Sequence, residues 1–69
     1  MKSFKELKAA INSKTILVWD DPDPVKDCDY TINYIEPIKK DFDKHTPIII
    51  RYGEAETEAE VYLHEILTK

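Results

Sequence analysis

The chain has 69 residues and a formal net charge of −4, with 42% hydrophobic residues, 35% charged residues and a single glycine. That length suits one domain near the lower limit for a single core, the apolar content is too high for a disordered chain, and the acidic balance disfavours binding to a phosphate backbone. The one cysteine, Cys28, cannot close an internal disulfide, and the opening MKSFKELKAAINSK has no continuous apolar stretch, so a reducing cytoplasm is the expected compartment and neither export nor membrane insertion is expected.

At the start of the chain, Ser3 and Glu6 stand at the spacing of a capping box, and Phe4, Leu7 and Ile11 recur at i, i+3 and i+7. This predicts a helix of about three turns, with Lys2, Lys5 and Lys8 on its other face and Asn12 and Ser13 ending it. KTILVW predicts a strand over 14–20, stopped at Asp20-Asp21-Pro22 because proline removes a ladder donor. DYTINYI predicts a second strand, with Tyr30, Ile32 and Tyr34 on one side, Thr31, Asn33 and Ile35 on the other, and Pro37 as its stop. EPIKKDFDKHTP reads as a connection with a short helical turn around 39–42. PIIIRYG predicts a third strand ending at Gly53, and EAEVYLHEI a fourth after a turn through 54–57.

Short links between strands favour antiparallel pairing, so the expected fold is α+β: one N-terminal helix packed on an antiparallel four-stranded meander sheet. An alternative order places strand one between others. Tyr30, Ile32, Tyr34, Ile48, Ile50, Val61 and Leu63 are expected to pack with Phe4, Leu7 and Ile11, joined either by Leu17 and Trp19 or by Ile16 and Val18. The second sheet face has no helix to cover it. Ile35, Ile49, Tyr62 and Ile66 are therefore expected to face outward, an apolar stripe with a polar rim that suits a partner or a second copy of the chain.

Charge is unevenly placed. Residues 20–29 set Asp20, Asp21, Asp23, Asp27 and Asp29 against Lys26, a net −4, and residues 51–65 set Glu54, Glu56, Glu58, Glu60 and Glu65 against Arg51, again −4. In an up-down-up-down meander the loops after strands one and three emerge at the same end, which makes one acidic pole and steers a protein with a cationic surface. Glu54, Glu56, Glu58 and Glu60 also fall at every second residue. In a strand they would line one face about 6–7 Å apart, near the phosphate spacing of one DNA strand, and this is the basis of a DNA-mimic reading.

Chemistry-bearing motifs are scarce. Asp21 with Asp23, and Asp27 with Asp29, have the one-residue spacing of calcium ligands, but two prolines and no glycine make DDPDPVKDCD depart from a calcium loop. A calcium-stabilised domain is the third reading. His45, His64 and Cys28 lie in three distant segments without zinc-ligand spacing; Cys28 is expected to pack at the start of strand two and His64 to sit half-exposed on a strand face. No nucleophile motif, phosphate loop or dinucleotide fingerprint occurs, so no catalytic residue, resident metal or cofactor is assigned. The sequence thus favours a non-enzymatic protein-interaction module.

Overall fold

The computed structural model describes residues 3–37, 42–43 and 45–69. Lys2 and most of the helical turn expected around 39–42 lie outside the described residues. Helix α1 spans Phe4–Asn12, and the Ser3 hydroxyl oxygen caps it by accepting the Glu6 N–H at 3.1 Å. At its other end the Ser13 hydroxyl donates to the Ala10 carbonyl at 3.1 Å, and Lys14 turns the chain away with a left-handed φ of 58°. The buried side of α1 follows Phe4, Leu7 and Ala10 rather than Phe4, Leu7 and Ile11. Ile11 lies about 100° around the helix from Ala10, and it stays 43% exposed at the rim.

Five strands follow: β1 (Leu17–Trp19), β2 (Ile32–Ile35), β3 (Ile48–Tyr52), β4 (Thr57–Val61) and β5 (Ile66–Thr68). They form two antiparallel sheets, β2-β3-β4 and the ribbon β1-β5, joined by one bridge between Val18 and Thr31. The fold is α+β, but the single four-stranded meander is corrected. The expected fourth strand ends at Val61, because Tyr62 leads into a 3-10 turn over Leu63–Glu65 and the chain returns antiparallel along β1. That corner is fixed by Glu65, whose carboxylate accepts the Tyr62 N–H at 3.3 Å and the Trp19 indole N–H at 2.9 Å. Ile66, expected to face outward, is fully buried in β5 opposite Trp19. His64 lies exposed in the turn, not on a strand, and stacks on Tyr62 at 6.1 Å.

The second correction is one of parity. Ile32 pairs with Tyr52, but Tyr34 pairs with Arg51 and Ile35 with Ile50, so the register shifts at a bulge around Asn33. An extra residue reverses which alternate side chains point inward. Ile35 therefore packs on the core, while Tyr34 turns out, 41% exposed, with the Arg51 guanidinium 4.8 Å from its ring centre.

The core combines Leu7 and Ala10 of α1 and Leu17, Leu63 and Ile66 of the ribbon and its turn with Ile48, Ile50 and Val61 of the three-stranded sheet. Ile32, Ile35, Phe42, Tyr52, Ala59 and Trp19 close its margin. Of the two possible halves of strand one, Leu17 and Trp19 are the pair that packs inward. No helix among the described residues is long and apolar enough to cross a membrane.

With so small a core, one cavity is decisive. Ile50→Ala is expected to cost about 2–5 kcal/mol, enough to leave little cooperative urea transition at 25 °C. Ile16→Ala, at a side chain 54% exposed, is expected to change stability by less than about 0.5 kcal/mol.

Candidate functional site

The acidic run after β1 leaves a cluster of three aromatic rings. Trp19 meets Tyr30 edge-on at 5.7 Å and Tyr52 at 5.1 Å, and Tyr30 stacks on Tyr52 at 5.3 Å. These contacts bring the two ends of the run together, because Trp19 lies just before it and Tyr30 just after; the Trp19 N–H also donates to the Tyr30 carbonyl at 3.0 Å. Aromatic pairs at such distances add about 0.5–1.5 kcal/mol beyond the area they bury. The excursion from Asp20 to Asp29 is thus tied at its base.

Inside the loop, the Tyr30 hydroxyl acts as a hub. It accepts the Val25 N–H at 2.7 Å and donates to Asp21 Oδ2 at 2.9 Å, while Asp21 Oδ1 accepts the Asp23 N–H at 2.9 Å. The bond from Val25 lowers the Tyr30 pKa, but desolvation together with the bonds to Asp21 and Cys28 and the Asp21 charge outweighs it and pushes the phenol up to about 12. Asp29 closes the run by accepting the Thr31 N–H at 2.9 Å, and its contacts with the Thr31 side chain and N–H hold its carboxyl below the usual range, with Lys69 adding in the same direction. Cys28, expected to pack at the start of strand two, is instead exposed, its N–H closing a turn onto the Val25 carbonyl ahead of the strand. Asp27 beside it adopts a left-handed φ of 62°, and this takes the backbone out of an extended path.

The second acidic segment meets the first through Gly53. Its N–H donates to the Thr31 carbonyl at 3.0 Å, and its own carbonyl accepts the Asn33 amide at 2.8 Å. With φ at +72° and a hypothetical Cβ only 2.8 Å from the Asp29 carbonyl oxygen, no other residue fits without displacing backbone. The turn therefore places Glu54 and Glu56 beside the end of the 20–29 loop, at the same end of the sheet.

Asp20, Asp23, Asp27, Asp29, Glu54, Glu56, Glu58 and Glu60 are exposed, and Asp21 is half-buried by its bond to Tyr30. The four glutamates do not form one ladder. Glu54 and Glu56 occupy the turn, Glu56 with a left-handed φ of 51°, and only Glu58 and Glu60 lie on β4, opposite Arg51 and Ile49. The apolar stripe is likewise broken up: Ile35 and Ile66 face the core, Ile49 is half-buried, and Tyr62 is exposed. Among the described residues no three His, Cys, Asp or Glu side chains converge where one metal ion could sit, and one aspartate of each pair, Asp21 and Asp29, instead accepts a backbone N–H.

The anchoring role of Glu65 and the hydroxyl hub of Tyr30 escape the sequence pattern. Their signals are faint: one tryptophan directly before the acidic run, and a glutamate three residues after the tyrosine that follows β4. Set against protein-family models, curated proteins and solved structures, the chain matches none of them.

Glu65→Ala leaves the Trp19 indole N–H without its acceptor and is expected to cost about 1–3 kcal/mol, seen as a lower urea midpoint and a shifted tryptophan emission. Glu65→Gln, which keeps an amide oxygen for Trp19, is expected to lose less. The folded state holds Tyr30 neutral, so its contribution to stability is complete below the ordinary tyrosine value near 10 and is lost as pH rises towards about 12. Absorbance titration should resolve one late tyrosine ionisation, and Tyr30→Phe should remove it; an unchanged titration in that variant would show that another tyrosine carries the late step.

Proposed function

We propose that this chain is a small acidic interaction module without catalytic chemistry, docking through residues 20–29 and the adjoining 53–56 turn onto a protein with a cationic surface. The observation that supports this reading is the bond between Gly53 and Thr31, which brings two acidic segments from opposite halves of the chain to one end of the sheet. The Tyr30–Asp21 hub supports it too, because it fixes the loop's shape before any partner arrives. A charged surface held rigid loses less conformational entropy on binding and directs encounter through its field. Cys28, exposed and unpaired with a second cysteine, suits a reducing cell interior.

The DNA-mimic alternative loses its main support because its four-carboxylate ladder is divided between a turn and a strand. An ordinary docking surface needs only net charge and shape, and both remain.

The test uses the variant Asp21→Asn, Asp23→Asn, Glu54→Gln, Glu56→Gln. The amide introduced at position 21 offers one oxygen in place of the two that accept the Tyr30 hydroxyl and the Asp23 N–H, so one of these bonds is lost while the core is untouched, and a thermal melt checks that the fold survives. A protein retained by the parent chain at low salt should bind the variant at least tenfold more weakly. It should also resist displacement by duplex DNA. Equal binding by parent and variant refutes the acidic pole, and displacement by DNA transfers the assignment to the mimic.

A further inference from the structure

The two sheets meet at the Val18–Thr31 bridge and splay apart beyond it. Between them lies a cleft of about 410 Å³, with Leu17, Ile32 and Ile35 on its walls and Ile11, Lys14 and Ile16 at its rim. Past Ile11, Tyr34 and Ile35 it continues into a second hollow of about 380 Å³, bounded by Phe4, Lys8 and Glu36. Ile11, Ile16 and Tyr34, between 41% and 54% exposed, make its upper surface apolar.

One wall of this cleft is a strand edge. The Thr31 carbonyl accepts from Gly53, and the Glu36 N–H donates to the Ile49 carbonyl at 3.1 Å, so both residues turn their backbone groups towards β3. Successive residues in a strand present those groups to opposite edges. The Ile32 carbonyl and both polar backbone groups of Ile35 therefore turn towards the cleft, where no strand among the described residues pairs with β2 beyond the bridge. Such an edge is a template for an added strand.

We propose that the β2 edge receives an extended peptide segment of a partner protein, apolar at alternate positions and carrying carboxylates at its ends. Four residues of β2 present about 13 Å of edge, which fixes the paired part of the ligand at four or five residues. Alternate ligand side chains would pack on Ile11, Ile16 and Tyr34, while the carboxylates meet Lys14 at one end of the joined cleft and, at the other, Lys8, whose charge stands there beside that of Glu36. This charge preference is opposite to that of the acidic pole. The bulge at Asn33 confines regular pairing to a short stretch, so the edge suits one peptide better than open-ended self-association.

The experiment selects a phage-displayed library of random heptapeptides against the full chain and maps a synthesised winner by amide chemical shifts. Enriched peptides are expected to alternate apolar residues and to end in aspartate or glutamate, with the largest shifts at Ile32 and Ile35. N-methylation at alternate peptide residues should weaken binding at least tenfold, as should the exposed substitution Ile16→Lys, while Lys8→Glu with Lys14→Glu should reverse the charge preference. The acidic-pole variant described above should bind the peptide unchanged, and that separates this surface from the pole. The proposal is overturned by the absence of enrichment, by lysine- or arginine-rich winners that shift residues 20–29, by unaltered binding to Ile16→Lys, or by a concentration-dependent dimer that occupies the edge.

Discussion

Glu65 is the residue on which the arrangement of the chain turns. One carboxylate oxygen takes the Tyr62 N–H and the other takes the Trp19 indole N–H, while its backbone carbonyl accepts the Asp20 N–H at 2.7 Å. A single half-buried side chain thereby stops β4, starts the return along β1 and fixes the point at which the acidic loop departs. Hydrogen bonds to an ionised acceptor contribute more than neutral ones, and a donor left buried without its partner costs the full desolvation of that group. The corner is held by this geometry, for TEAEVYLHEIL has no glycine or proline to break a strand.

That is why the sequence conveys the elements of the fold better than their assembly. The helix, its Ser3 cap and the three strands before Gly53 follow from period, capping chemistry and β-branched content, all of which act within a few residues. Two features do not. Nothing in INYI marks Asn33 as a bulge, yet that one extra residue exchanges the faces of Tyr34 and Ile35. The alternation through EVYLHEI equally suits an unbroken strand, and only the spatial meeting of Glu65 with Trp19, distant in sequence, interrupts it. The acidic segments were legible as charge, since charge is counted directly. The Tyr30 hub was not, because a tyrosine in a β-like run reads as a core aromatic whether or not its hydroxyl has a loop to organise.

Folding also divides the carboxylates by role. Asp21, Asp29 and Glu65 accept backbone or side-chain donors at 2.9–3.3 Å, and Asp43 accepts the His45 N–H at 2.8 Å and the Thr46 hydroxyl at 3.2 Å in its own turn, which draws its pKa down. Asp23, Asp27, Glu54 and Glu56 stay exposed around the frame that the first three build. Acidic residues near a turn thus serve two physical ends. Some replace missing main-chain partners, and the rest supply a field whose shape the first group sets.

The cleft beside β2 has the same origin. In a meander, β1 would lie along β2 and consume its edge. Here β5 takes one side of β1, and the acidic excursion between β1 and β2 is closed by aromatic stacking at its base, so among the described residues the pairing of β1 with the β2 side is limited to the Val18–Thr31 bridge. The wedge that follows is the geometric remainder of joining two small sheets at one point over a small shared core. If β4 ran on through Tyr62, Ile66 would leave the core, β1 would lose its partner, and the edge of β2 would be the nearest replacement. Among the described residues, the unpaired stretch of β2 and the closed corner are therefore two consequences of one constraint, for the corner commits β1 to β5 and withdraws it from β2.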